Sequence, residues 1–404
     1  MRKLILGSCL VAGTSVGAGM IALPMALCKI GIFPTIVLIL ALWFFMYLTG
    51  LLGLELNLKR GKGQTLSELG NFYRGSLTSH LGSLCLMFLI YALLCAYLYG
   101  GASIFQGFFE AHLGHSLSLQ HIVLIYAFIL CGIFSLSVSW ILQINKILLS
   151  ALLWTLGLLI VGFFTKINLL HMPLLTSSFL DLKAWTLALP ILSTAFGFHV
   201  ILPILTNYCD KDPLLLKRCV FWGSLIPALV YILWTITTLA ILYHAAPQKY
   251  DLLLLGKLDV GQFVQALTET TAWPLVQTVA NTMSMIAILK SSIGVGLALF
   301  EFWQEKLLKH FSLSSLKIKG SSIALTIFPS LAFALLVPSL FIKALSFAGM
   351  INVGIIILLP LWLLTSQKAE ALPSYYPLMT TKFIKISFLI LGFIIILCEV
   401  INMI

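Results

Sequence analysis

Apolar runs bounded by charge, Pro/Gly or polar clusters divide the chain into eleven segments: 4–30, 32–56, 81–109, 121–144, 147–165, 184–207, 219–243, 273–302, 320–338, 341–365 and 383–403. Each approaches the ~20 predominantly apolar residues that carry a helix across a bilayer. The runs are continuous, which fits helices better than the ~10-residue alternating strands of a membrane barrel. The longest connections, 57–80, 166–183, 244–272 and 303–319, hold no soluble domain. Within 244–272, Phe263, Ala266 and Leu267 fall on one side of the stretch Val260 to Thr268. That stretch reads either as a short amphipathic lid helix or as a surface loop. The pattern predicts an all-α integral membrane protein, a single transmembrane domain over 1–404.

Composition agrees. The 404 residues are 60% hydrophobic and 9% charged, with a mean hydropathy of +1.08, where a soluble domain carries about 25% charged residues. A secreted enzyme, a disordered regulator and a DNA-binding domain are excluded together. The net charge of +11 would suggest nucleic acid in a soluble protein; here its placement along the spans is what matters. With the N-terminus inside, the inner segments hold Arg2, Lys3, Lys59, Arg60, Lys62, Arg74, Lys146, Lys211, Lys217, Arg218, Lys306, Lys309, Lys317, Lys319, Lys368, Lys382 and Lys385. The outer ones hold Lys29, Lys166, Lys183, Lys249, Lys257 and Lys343, and Lys290 lies inside a span. This positive-inside bias predicts a cytoplasmic N-terminus and an outer C-terminus.

Met1-Arg2-Lys3 before Leu4 to Cys9 superficially resembles a lipoprotein signal. The apolar stretch before Cys9 is shorter than the 7–15 residues such a region needs, so 1–30 is read as mature structure. Cys9, Cys28, Cys85, Cys95, Cys131, Cys219 and Cys398 fall in spans, Cys209 in a loop, and no C-x-x-C occurs; they read as small buried hydrophobes.

Two spans are interrupted. Span one reads Gly13-Thr14-Ser15-Val16-Gly17-Ala18-Gly19 and then Pro24; span six reads Pro190-Ile191-Leu192-Ser193-Thr194-Ala195-Phe196-Gly197-Phe198-His199 and then Pro203. Glycine weakens helix continuity, and backbone freed from a helix survives at membrane depth only when buried or lining a polar cavity. One glycine-rich span is explained by close helix packing. Two, five spans apart, point to a secondary transporter built from inverted repeats: 1–166, 184–365, and an additional helix over 383–404. A channel would show a repeated ring or filter, and an intramembrane enzyme would show paired catalytic groups at depth. Arg60-Gly61-Lys62-Gly63-Gln64-Thr65 lacks phosphate-loop spacing, which argues against an ATP-driven pump. His112, His115 and His121 lack the partners of a metal site and read as a solvated loop.

Leu6-Gly7-Ser8 followed by Val11-Ala12-Gly13-Thr14-x-x-Gly17-Ala18-Gly19-Met20-x-Ala22-x-Pro24 resembles the opening of the bacterial hydroxy/aromatic amino acid permeases. Phe196-Gly197-Phe198-His199 is similar to the same family, as is Phe328-Pro329-x-Leu331-Ala332-Phe333-Ala334-Leu335 running into Pro338 and Ala348-Gly349. The resemblance covers nearly the whole chain and is strongest to the tyrosine-specific branch. It implies the amino acid/polyamine/organocation superfamily and a leucine-transporter-like 5+5 fold with helices 1 and 6 discontinuous. It also implies proton-driven uptake of aromatic amino acids across the cell inner membrane. Tryptophan or other neutral amino acids, and sodium coupling or exchange, remain alternatives. The expected partners are an amino acid and membrane lipid, with no nucleic acid and no cofactor beyond the coupling ion.

An amino acid zwitterion needs hydrogen-bond partners for both charges at membrane depth. Half-helix N-termini supply N–H groups for the carboxylate, here Gly17, Ala18 and Gly19. Freed carbonyls around Ala12, Gly13 and Thr14, and from Ser193 through Thr194 and Ala195 to Phe196, suit the ammonium; Gly197 opens the second break. Phe196 and Phe198 are candidates to stack on an aromatic substrate, with Tyr91 and Tyr97 of span three. Three ionisable residues stand out within spans. Glu399 lies near an end, where snorkelling is easy. His199 follows the second break and reads as a hydrogen-bonded structural group or a proton carrier. Lys290 lies about 17 residues past Trp273, or ~26 Å of helix, too deep to snorkel easily, and so is a functional candidate. Ser284, Ala287, Ser291 and Gly294 form a small-residue face beside it. In the fold the resemblance implies, span eight faces span one and relatives carry a small hydroxyl residue where this chain has Lys290. The ammonium is therefore expected to replace a bound cation, with Lys290, Ser291 and His199 as coupling candidates.

Overall fold

The computed structural model describes residues 1–113, 117–164, 172–270, 274–310, 314–337 and 339–403, which form helices and no strands. In chain order the helices are α1 (Arg2–Ser15), α2 (Gly19–Leu27), α3 (Ile32–Arg60), α4 (Leu66–Arg74), α5 (Ser76–Leu113), α6 (Leu119–Phe134) and α7 (Val138–Phe164). They continue as α8 (Leu182–Ala195), α9 (Leu202–Tyr208), α10 (Pro213–Ala245), α11 (Pro247–Leu254), α12 (Val260–Glu269) and α13 (Pro274–His310). The last are α14 (Ser315–Leu336), α15 (Leu340–Val353), α16 (Leu359–Leu364), α17 (Gln367–Glu370), α18 (Pro377–Thr380) and α19 (Lys382–Met403). A 3-10 turn, Phe198–Ile201, joins α8 to α9, and a π turn, Gly354–Leu358, joins α15 to α16.

Nine spans among the described residues are long and apolar enough to cross a membrane, and α1 with α2, bent by 58° at their break, make a tenth. The chain is a multi-pass membrane protein. α6, expected to run over 121–144, stops at Phe134 after 16 residues. The chain turns at 135–137, and α7 begins there rather than near 147, so Lys146 lies within α7 and not in a loop. Lys319, in the second turn of α14, satisfies carbonyls of that turn: its Nζ donates to Ser135 O at 2.6 Å and Leu136 O at 3.2 Å, just past the end of α6.

The helix ends follow local chemistry. α3 finishes with Lys59 and Arg60 and then Gly61, whose φ of 77° is the left-handed conformation glycine adopts without strain. The expected loop 57–80 instead contains α4, opened by a capping box between Thr65 and Glu68. Asp212 caps α10 by accepting from Leu214 N and Leu215 N. The amphipathic stretch expected from Val260 is α12, opened by an Asp259/Gln262 capping box; Phe263, Ala266 and Leu267 are buried beneath it. Tyr99 and Ser103 of α5 donate to the Asp259 carboxylate at 3.0 and 3.2 Å, clamping α12 onto α5.

α13 runs through the bundle against α5, α7 and α14, while α1 packs on α10 and α2 on α8. α15 lies between α5 and α8, and α19 covers α8 and α15. Two carboxylates are buried in the bundle. Glu55 in α3 is fully buried: its oxygens accept from Tyr375 N at 3.1 Å and Tyr376 N at 2.7 Å, and one lies 3.7 Å from Lys59 Nζ. Lys59 also donates to Ala369 O and Leu372 O at 2.8 and 2.7 Å, so the pair ties the segment before α19 to the end of α3. Glu399 does not snorkel. It is 3% exposed, bonded by Ser346 Oγ of α15 and by Asn402, which in turn pairs with Thr186 of α8. Of the cysteines, Cys28, Cys95, Cys209, Cys219 and Cys398 are buried, whereas Cys9 and Cys85 lie on the apolar outer surface instead. His115 and the side chain of His112 lie outside the described residues.

Candidate functional site in the paired helix breaks

The site grows from two chain interruptions that pack against one another. α1 ends at Ser15, Val16 turns to extended geometry (ψ 112°), and α2 resumes at Gly19. α8 ends at Ala195, and Phe196 and Gly197 leave helical geometry before the 3-10 turn; Pro203 then opens α9. The two approach closely: a Cβ added to Gly19 would sit 3.3 Å from Ala195 Cα. That is a tight contact, and a side chain at Gly19 would require the α8 backbone to give by a few tenths of an ångström.

Hydroxyls at both breaks bond back to their own helices. Thr14 Oγ1 donates to Val11 O at 2.8 Å, Ser193 Oγ to Pro190 O at 2.8 Å, and Thr194 Oγ1 to Pro190 O at 3.0 Å. Thr194 also reaches Leu345 O of α15 at 3.1 Å, and Asn352 Nδ2, two turns further along α15, donates to Ser193 O at 3.1 Å. The second break is thus fastened to α15.

α13 fastens the first. Lys290 is 8% exposed and its Nζ donates to Gly13 O at 2.7 Å and Val16 O at 3.0 Å. The next residue, Ser291, accepts Ala18 N–H on Oγ at 3.0 Å. A Cβ on Gly17 would collide with that same Oγ. The ammonium reaches carbonyls on the α1 side of the break, while the hydroxyl takes an N–H on the α2 side. Each group is matched to the partial charge exposed there. Ser284 and Ala287 are buried on the same helix, while Gly294 faces open space.

The aromatic candidates divide. Phe196 and Phe198 are fully buried. Phe196 stands edge-on to Tyr231 at 5.2 Å, whereas Phe198 stacks on His199 at 4.4 Å and lies against Gly50 of α3. His199 Nε2 lies 2.9 Å from Thr49 Oγ1, which itself donates to Met46 O; the histidine therefore faces α3 rather than Lys290. Tyr97 of α5 is buried as well. Tyr91 is placed elsewhere: its hydroxyl donates to Leu325 O of α14 and accepts from Trp303.

Tyr231 itself was not among the sequence candidates. It sits in an ordinary stretch of α10 without glycine or charge nearby, and only packing brings it to both breaks. Asn352 escaped for the same reason, although an amide within an apolar run is a visible signal.

Against known proteins, the chain matches the tryptophan/tyrosine permease family over residues 1–399. It is 30% identical over 378 residues to tyrosine-specific transport system 1 of Haemophilus influenzae, covering 92% of this chain and 90% of that protein. It is 31% identical over 351 residues to the tryptophan-specific transport protein of Pseudomonas aeruginosa, covering 86% and 82%. Tyrosine-specific transport system 2 of Haemophilus influenzae is 27% identical over 402 residues, covering 98% and 96%. These relatives are transport proteins and none is named as an enzyme. With a family match over residues 1–399 and a bundle of membrane-length helices, the chain belongs to the tryptophan/tyrosine permease family, transporters rather than enzymes.

Proposed function

We propose that this protein is a secondary active transporter importing aromatic amino acids, tyrosine in preference, across the inner membrane by proton symport and alternating access. In this reading α1 with α2 is one span and α6 a short one, giving eleven. Spans within 1–166 and 184–365 are inverted five-helix repeats, and α19 is additional. The N-terminus is cytoplasmic.

The observation that carries the reading is Lys290, a buried ammonium on two carbonyls of a broken helix. A fixed cation there takes the place of a bound metal ion and braces α13 against α1. Its hydrogen bonds are charge-assisted, roughly twice as strong as neutral ones. Loss of the proton weakens the brace and so couples the first break to proton occupancy. Ser291 moves with it, and His199 is a lesser candidate because it faces α3.

The substrate carboxylate meets the N–H groups of Gly17 and Gly19, since Ala18 N–H is held by Ser291. The ammonium lies at the carbonyl ends of α1 and α8, and Phe196, Phe198 and Tyr97 surround the ring. Apolar residues exposed on the outside of the bundle, such as Phe44, Trp154 and Phe393, face lipid. Tryptophan is the second reading for the cargo, because a relative at 31% identity is named tryptophan-specific.

The test is uptake of labelled tyrosine into proteoliposomes under imposed pH or sodium gradients, with unlabelled tryptophan and small neutral amino acids as competitors. Accumulation driven by an inward proton gradient supports the reading. Sodium-driven accumulation replaces the coupling ion, and stronger competition by tryptophan replaces the cargo. No accumulation of either amino acid sinks it.

A further inference from the structure

A broken helix orphans carbonyls that the next turn would have satisfied. At the first break the terminal residue of α1 is Ser15, and at the second the terminal residue of α8 is Ala195. One phenol stands between them. Tyr231 of α10 is fully buried, with its oxygen 2.8 Å from Ser15 O and 2.7 Å from Ala195 O. Phe196, edge-on at 5.2 Å, holds the ring in place.

A phenol carries one proton. It hydrogen-bonds one of these carbonyls at a time, and toward the other it presents only lone pairs. The cluster of three oxygens from three helices is therefore one donor short. Neighbouring carbonyls differ. Ala12 O takes Val16 N–H at 3.0 Å, Gly13 O and Val16 O take Lys290, Ser193 O takes Asn352, and Phe196 O takes Phe198 N–H at 2.8 Å. The shortfall lies at Tyr231.

Resting on the transport reading above, we infer that Tyr231 is a specificity-determining residue of the substrate site, its oxygen joining Ser15 O and Ala195 O as acceptor for the α-ammonium of the amino acid. The ammonium supplies the missing donor: it bonds the carbonyl the phenol does not serve and a free lone pair of the phenol oxygen. No covalent step is involved. Tyr231 thereby reads the presence of the ammonium and ties its binding to the registration of both breaks.

The test is a binding titration on the purified full chain, comparing wild type with Tyr231→Phe. The probes are tyrosine, tyrosine methyl ester (ammonium, no carboxylate) and 3-(4-hydroxyphenyl)propionate (carboxylate, no ammonium). Tyrosine and its ester are expected to bind about tenfold more weakly to the variant, ~1.4 kcal/mol, with the propionate changed by less than about twofold. Equal losses for all three probes mark a purely structural role and overturn the inference, as does unchanged tyrosine affinity. If Tyr231→Phe does not fold, 3,5-difluorotyrosine at 231 keeps the ring and hydroxyl with a poorer acceptor oxygen; weaker tyrosine binding supports the inference, and unchanged or tighter binding overturns it. A wild type that binds no aromatic amino acid overturns the transport reading together with this inference. A wild type that binds tyrosine while the variants match it overturns the inference alone.

Discussion

The Nζ of Lys290 lies 2.7 Å from the carbonyl oxygen of Gly13, joining residues 277 positions apart across the first helix break. Lys290→Met removes the donor from two buried carbonyls, each unmatched group costing about 1–3 kcal/mol. Tyrosine uptake in proteoliposomes is expected to fall at least about tenfold, with its dependence on an imposed pH gradient abolished. Uptake and proton dependence both intact in Lys290→Met would eliminate the coupling role.

Gly17 and Ser291 share one space. Gly17→Ala brings its Cβ onto Ser291 Oγ, and overpacking of this kind typically costs about 1–3 kcal/mol. Adding Ser291→Ala opens the space but also removes the acceptor of Ala18 N–H. The double variant is therefore expected to recover part of the stability lost in Gly17→Ala without reaching wild type. Thermal unfolding of the four proteins in detergent measures the coupling as a double-mutant cycle; strictly additive effects would show that the contact is not energetic.

The Glu55–Lys59 pair provides a separate test, away from the breaks. Removing one partner of a buried pair typically costs about 3–5 kcal/mol because the other charge is left uncompensated. Lys59→Met is expected to lower the unfolding temperature sharply and to expose the segment around Ala369 to Tyr376, read by proteolysis or hydrogen exchange. Glu55→Gln with Lys59→Met is expected to be milder than Lys59→Met alone, since the stranded carboxylate is gone.

Glu399 distinguishes hydrogen bonding from charge. Glu399→Gln keeps an acceptor for Ser346 and Asn402 and is expected to unfold within about 1 kcal/mol of wild type. Glu399→Leu leaves the Ser346 hydroxyl without this acceptor, while Asn402 keeps Thr186 O, and is expected to lose about 1–3 kcal/mol. Equal unfolding temperatures for the two variants would show that the network around α8, α15 and α19 contributes little.

Much of the architecture was legible because its causes are local. Apolar run length marks spans, glycine and proline mark interruptions, and Thr65 with Glu68 spells a capping box that was read over as loop. The end of α6 was misplaced because Ser135 to Ser137 interrupts an otherwise apolar stretch, and because Lys319, which satisfies the carbonyls there, is far away in sequence. The amphipathic spacing of Phe263, Ala266 and Leu267 left helix and loop both open, and the structure forms the helix α12 with that face buried.

The site was half legible for the same reason. The sequence by itself marked glycine- and proline-rich interruptions in spans one and six and placed Lys290 deep within span eight. Tertiary structure decided which carbonyls Lys290 reaches and that Tyr91 turns away toward α14. It alone placed Glu55 beside Tyr375 and Tyr376, 320 and 321 positions away, and Tyr231 between Ser15 and Ala195. Breaking a helix is a property of a few consecutive residues. Satisfying the groups it frees depends on the rotation and approach of helices distant in sequence, set by packing across the whole bundle.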